Sequence, residues 1–253
     1  MDKNQVTQTL KKAKENSPKR NFTQSIDLII NLKDIDLKKT EQSVNLFHTL
    51  HYPKGKKVKI CALVGPELLS QAKEVCDFAV SVDEFPKYQK KEAKKLATEY
   101  DFFIAQATIM PKIAQTFGKV FGPKGKMPNP KAGCVVPPNA NLKPLYERLQ
   151  KTVKLQTKND PIIQTMVGNE KMKDEEVVDN IMTVYDAMVH QLSNGKNNIK
   201  NSLLKLTMGK SFQIGKEEDV EKKDIKKGKK PDEKKEETAK VKAEKPKAEA
   251  KND

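Results

Sequence analysis

The chain has 253 residues, 36% of them apolar and 33% charged, which leaves room for two compact units and a tail and excludes one large core. A formal net charge of +15 attracts polyanions without any specific contact, so it points to nucleic acid or an anionic surface ahead of a small neutral substrate. No run reaches the ~18 apolar residues of a membrane helix, and the opening MDKNQVTQTLKKAKE lacks the apolar middle of a secretion signal, so a soluble cytosolic protein with no membrane partner is expected.

Residues 2–16 predict a short helix, stopped by Pro18 after Ser17. From Phe22 to Leu32 the period changes to two. Ile26, Leu28, Ile30 and Leu32 share one face, Thr23, Ser25, Asp27 and Asn31 take the other, and Ile29 alone breaks the pattern of a half-buried strand. A second strand is expected near Ser43 to Leu50, alternating Val44, Leu46, His48 and Leu50.

From Lys57 the rhythm is strand, helix, strand, helix: VKICALV, PELLSQAKEVC, FAVSV, KYQKKEAKKLATEY, DFFIAQA and MPKIAQTFGKVF. Short apolar runs between helical stretches predict a small parallel sheet with helices on its faces. LKPLYERLQKTV reads as a further helix, VKLQTK and PIIQTMV as strands, Glu175 to Leu192 as a helix, and about Ile199 to Met208 as the last strand.

This order is met most simply by an insertion. Residues 1–58 and 154–215 are expected to form a discontinuous α+β domain, and 59–153 an α/β, Rossmann-like, three-layer domain within it, with the two chain crossings as a hinge. Residues 216–253 have only Val220, Ile225 and Val241 as sizeable apolar side chains and are expected to be a disordered Lys/Glu-rich tail. That tail holds 14 lysines against 12 acidic residues, so +13 of the charge belongs to residues 1–215.

Few stretches suggest chemistry. Cys61, Cys76 and Cys134 are far apart and lack C-x-x-C spacing, which predicts reduced structural thiols. GPKGKMPNPKAG, from Gly122 to Gly133, resembles a phosphate loop only in composition: a Walker loop needs four residues between its glycines and Ser or Thr after the lysine, whereas here two residues intervene and Met127 follows Lys126. On a strand, His48 and His51 would face opposite sides, with no carboxylate or cysteine completing a metal set. No catalytic residues, metal or cofactor are expected.

PKRNFTQSIDLIINLKDID, DFFIAQATIMP, FGPKGKMPNP, NANLKPL, VGNEKM and KLTMG occur in the order seen in the family of large-subunit ribosomal protein one, archaeal branch, and the resemblance runs over about residues 1–215. It implies a non-enzymatic ribosomal protein that binds a large-subunit rRNA stalk beside the exit-site transfer RNA, assists release of deacylated tRNA, touches other ribosomal components, and represses its own messenger. The family's main RNA-contacting positions match Phe22, Ser25, Thr207, Met208 and Gly209. KAGCVVPP departs from the archaeal pattern, being longer and bacterial-like at its start.

Strand geometry supplies part of that site independently. Lys205 and Thr207 share a face opposite Leu204, Leu206 and Met208; beside Thr23 and Ser25 they would make a platform whose hydroxyls meet 2′-hydroxyls while the lysine meets phosphate. Gly209 would let an RNA backbone approach, and Gln164 and Lys158 are weaker candidates on the facing strand region. By parity alone, Phe22 and Met208 are core positions, and only the resemblance or a bulge turns them outward. Lys124, Lys126 and Lys131 suggest a secondary, salt-sensitive contact with rRNA or tRNA. The alternatives are an RNA-binding regulator outside the ribosome and a nucleotide-dependent enzyme using the middle domain.

Overall fold

The computed structural model describes residues 1–36 and 43–215, so the tail expected from residue 216 lies outside the described residues. The strands are β1 (Ser25–Leu32), β2 (Asn45–Thr49), β3 (Ile60–Val64), β4 (Phe78–Ser81), β5 (Phe102–Gln106), β6 (Val135–Val136), β7 (Thr152–Gln156), β8 (Ile162–Asn169), β9 (Ile199–Leu206) and β10 (Ser211–Gln213). The α-helices are α1 (Lys3–Glu15), α2 (Pro66–Val75), α3 (Lys90–Glu99), α4 (Met110–Lys124), α5 (Leu142–Lys151) and α6 (Asp174–Gln191).

Val6, Leu10 and Ala13, four and three residues apart, give α1 one buried stripe. Asp174, Glu175 and Glu176 open α6 with negative charge where the helix dipole is positive. Both helices pack on the inner face of an antiparallel sheet ordered β10-β9-β1-β8. In β1 the even-numbered residues Ile26 to Leu32 are buried and the odd-numbered ones half exposed, as the period of two requires. Fully burying a side chain such as Leu10, Ile26 or Leu28 stabilises the fold by roughly 1.5–3 kcal/mol relative to exposure. This core draws on residues from Val6 to Leu50 and from Val153 to Leu206, so both ends of the chain build it together.

The middle of the chain forms a second sheet, ordered β4-β3-β5-β6 and parallel throughout. All five residues of β3 are buried because both faces are covered. Ile60, Ala62 and Val64 pack with α2 and α5, while Cys61 and Leu63 pack with α3 and α4. Helices thus cover both faces of the parallel sheet, and its apolar clusters are separate from that of the antiparallel sheet. The three cysteines are free and buried; burial pushes the thiols of Cys76 and Cys134 up to about 11 and that of Cys61 further up.

Several boundaries differ from the sequence reading. Phe22 to Gln24 precede β1, and β9 ends at Leu206, so both strands are shorter at this end than the sequence reading had them. Helix α5 stops at Lys151, and Thr152 and Val153 open β7, which pairs with β2 as a ribbon apart from the larger sheets. Gly122, Pro123 and Lys124 are not loop but the last turn of α4. There Gly125, at φ +64°, donates its N–H to Gly122 O and Lys126 donates to Phe121 O, both at 2.9 Å. This is the Schellman pattern, which favours glycine at the left-handed position.

Candidate RNA-binding surface

Most of the candidate residues lie where β1 begins and β9 ends. The two strands run antiparallel with Asp27 opposite Lys205 and Ile26 opposite Leu206, which carries Thr207 alongside Ser25. Thr207 N–H donates to Ser25 O at 3.0 Å, and Ser25 N–H donates to Thr207 Oγ1 at 3.0 Å. The hydroxyls are 2.8 Å apart, and Thr207 Oγ1 is 3.3 Å from Ser25 O. Ser25 O, the neighbouring hydroxyl and the Asp27 carboxylate offer acceptors for both O–H protons, so what the pair presents to an outside partner is lone pairs.

Phe22 and Met208 flank this pair and are 52% and 53% exposed. Core placement by parity therefore fails for both. Parity holds only inside a strand, and Phe22 lies before β1 while Met208 lies in the turn between β9 and β10. The turn is held by Gly209 N–H, which donates to Leu206 O at 2.9 Å. A Cβ at Gly209 would stand 3.1 Å from Ser17 Oγ, so glycine lets this turn lie close against the loop after α1.

Gln24 was not anticipated. Its side chain is 1% exposed; Nε2 donates to Pro18 O at 3.0 Å and Oε1 accepts Met208 N–H at 3.2 Å. It thus pins the loop carrying Phe22 to the turn carrying Met208. Its parity, matching Ile26 and Leu28, was the available signal, but a glutamine on the apolar side of a strand does not announce its partners. Lys19 and Arg20, exposed just before Phe22, add positive charge to the same edge.

Further along the outer face, Lys205 stands opposite Asp27 on one side and Ser211 on the other. Burial pushes the Asp27 carboxyl above its ordinary value, against the pull of Lys205 and a hydrogen bond with Ser25. Gln164 pairs with Ile29 and is exposed on this face. The strands thus bring Ser25, Lys205, Thr207 and Gln164 to one surface, with α1 and α6 on the other side of the sheet.

The glycine-proline stretch is a different place. Lys124 Nζ donates to Thr98 Oγ1 at 2.7 Å and to Lys94 O at 3.2 Å; Lys126 Nζ donates to Tyr100 O at 2.6 Å and lies 3.6 Å from Asp101. Lys131 is exposed in a short turn whose N–H is accepted by Asn129 Oδ1 at 2.9 Å. Two of the three lysines therefore already have intramolecular partners. At the carboxyl ends of β3 and β5, where open α/β sheets bind ligands, Gln106 Oε1 accepts Gly65 N–H at 2.9 Å and Gln106 Nε2 reaches Glu67 at 3.3 Å. A Cβ at Gly65 would stand 2.9 Å from Gln106 Oε1, so the glutamine side chain lies directly against this turn. His48 and His51 do not converge: His51 Nδ1 is 2.6 Å from Asp179 Oδ2, while His48 Nε2 is buried without a partner among the described residues.

An uncovered sheet end bearing hydroxyls, backbone amides and apolar side chains, on a chain of net charge +15, is a surface suited to a folded polyanion. Residues 10–210 match the sequence profile of the Ribosomal protein L1p/L10e family, and the chain belongs to that family. It is 43% identical over 218 residues to the large ribosomal subunit protein uL1 of Methanothermococcus thermolithotrophicus, covering 85% of this chain and all of that one. The uL1 proteins of Methanocaldococcus jannaschii and Methanobrevibacter smithii are 41% and 44% identical, over 86% and 83% of this chain and 98% of each relative. These relatives are archaeal, the branch the motifs had suggested.

Proposed function

We propose that the chain is a structural, non-enzymatic protein of the large subunit of the cytoplasmic ribosome, and that Phe22, Ser25, Thr207, Met208 and Gly209 are its main contact with rRNA. One observation carries the reading: Ser25 and Thr207, 182 positions apart in the chain, hold each other's hydroxyls at 2.8 Å, and Phe22 and Met208, near them in the chain, are more than half exposed. Hydroxyls and a backbone approach suit the 2′-hydroxyl edge of RNA, and exposed Phe22 and Met208 offer flat apolar surface to a base or sugar. Lys205 and Gln164 extend the contact along the sheet.

The finer reading follows the family. Residues 1–58 and 154–215 would hold the rRNA stalk, and 59–153 would be an inserted domain swinging about the two crossings as deacylated tRNA leaves the exit site; the separate apolar clusters on either side of the crossings support this. Binding of the chain's own messenger at the same surface would repress its translation.

Crosslinking the protein to RNA in cells and sequencing the fragments tests both levels. Large-subunit rRNA should dominate, with the chain's own messenger as a minor species. Fragments dominated by other RNAs would favour a regulator outside the ribosome. Phe22→Ala supplies the residue-level check: truncating an exposed side chain should leave stability within about 0.5 kcal/mol while weakening RNA binding.

A further inference from the structure

A cleft of about 490 Å³ opens against the outer face of the antiparallel sheet. Lys54, Lys56, Lys124, Lys126, Lys154 and Lys158 line it, and among the described residues Asp101 is the only carboxylate in its lining. The positive side chains come from both chain crossings and from the cap of α4. Gln164 and Met166 of β8 complete the wall; they pair with Ile29 and Asp27 of β1, so the cleft continues the surface that carries Ser25.

This charge is poorly compensated from within. Lys126 has Asp101, and Lys124 has a hydroxyl and a carbonyl. Lys54 Nζ donates to Thr152 O at 3.1 Å, and Lys154 Nζ to Gly125 O at 3.4 Å while lying 5.7 Å from the centre of the Phe47 ring. Carbonyls and a ring face orient an ammonium group but leave its charge in place. Burial lowers the affinity of Lys54 and Lys154 for their protons, and the neighbouring Lys56 and Lys158 lower it further; Asp101 opposes the effect at Lys54. Like charges gathered this way oppose folding until an anion joins them.

We infer that the cleft is a second phosphate site, that Lys56, Lys154 and Lys158 supply its free charge, and that it receives the sugar-phosphate backbone of the RNA held at the Ser25–Thr207 surface. The identity of the ligand rests on the proposed function; the presence of an anion site does not. The cleft also replaces the glycine-proline loop as the centre of the secondary contact, because Lys124 and Lys126 contribute to its wall while Lys131 does not line it.

The test is filter binding of M. jannaschii large-subunit rRNA across a series of salt concentrations. Four proteins are compared with wild type: K56Q/K154Q/K158Q, the double K56Q/K158Q, Thr207→Val, and K90Q/K94Q/K95Q, which makes the same charge change as the first on the exposed face of α3. Each lost phosphate contact removes about 0.7–0.9 from the slope of log K against log salt, so the cleft triple should be shallower by about two to three units and the double by about one to two. The α3 triple should keep the wild-type slope, and Thr207→Val should lose affinity at every salt concentration without changing slope. Wild-type slopes for both cleft variants, with melting temperature unchanged, would overturn the inference. So would equal flattening by the cleft and α3 triples, which would mean diffuse charge. Wild-type affinity in Thr207→Val alone would remove the primary site and leave the cleft standing.

Discussion

Thr207→Val is the sharpest single perturbation, because it deletes one oxygen and keeps the branched outline of the side chain. In the free protein it costs Ser25 N–H its acceptor at 3.0 Å and Ser25 Oγ its neighbour at 2.8 Å, while the backbone bond from Thr207 N–H to Ser25 O at 3.0 Å survives. Thr207 is exposed, so water satisfies the orphaned donor and the loss should be about 0.5–1.5 kcal/mol of stability. In the RNA complex water is excluded, and an unpaired donor costs about 1–3 kcal/mol, or roughly 5- to 150-fold in Kd. Filter binding at fixed salt, well below the melting temperature, separates the two effects because the folded fraction is then the same in both proteins.

The partner substitution Ser25→Ala keeps the backbone N–H and C=O that face Thr207 and removes only the second hydroxyl. Since the two hydroxyls share a hydrogen bond, the double variant should fall short of the summed losses by about 0.5–3 kcal/mol. Wild-type affinity in Thr207→Val would refute the site outright. Strictly additive losses would refute the shared hydroxyl unit while leaving two independent contacts.

Gln24→Leu should lower the free energy of unfolding by about 1–3 kcal/mol in a urea titration, since it removes the acceptor of Met208 N–H in a part-buried place and the donor to Pro18 O; an unchanged midpoint would contradict the pinning role. Gly125→Ala should destabilise by about 1–2 kcal/mol in thermal melting, because φ +64° is strained for alanine and its Cβ would stand 3.2 Å from Lys154 Nζ. His48 is held below its ordinary value of 6.5 by burial and then by His51, so the unfolded chain takes up the proton first as pH falls through 6.5, and folded stability declines until His48 itself titrates. His48→Leu should shrink the drop in unfolding free energy between about pH 7.5 and 5. An equal drop in both proteins would show that His48 does not contribute.

The sequence carried the alternation of β1 and β9 and the strand-helix rhythm of the parallel sheet because those signals are local: a period of two or 3.6 is set by which side chains meet the core. Strands as short as Val135–Val136 and Ser211–Gln213 carry too few periods to be seen. Pro123 misled the reading of α4, since a proline normally ends a helix. In the last turn the unmade bond would go to Lys119 O on an exposed stretch, where solvent satisfies the carbonyl. The orientation of Phe22 and Met208 was beyond periodicity because each sits just past the end of a strand, where a turn resets the side-chain direction.

The same reasoning separates the two surfaces in kind. On the proposed reading the Ser25–Thr207 end would meet an RNA through neutral hydroxyls, amides and apolar contacts, whose strength changes little with salt; the cleft would contribute charge, whose strength falls steeply with it. A polar pair that joins positions 182 apart exists only when both ends of the chain are folded together, whereas Lys54, Lys56, Lys154 and Lys158 of the cleft lie at the crossings into the middle segment. A change that moves the middle segment should therefore alter the salt-dependent share of binding first and leave the hydroxyl contact in place. An RNA could then stay anchored at the sheet end while its backbone enters or leaves the cleft.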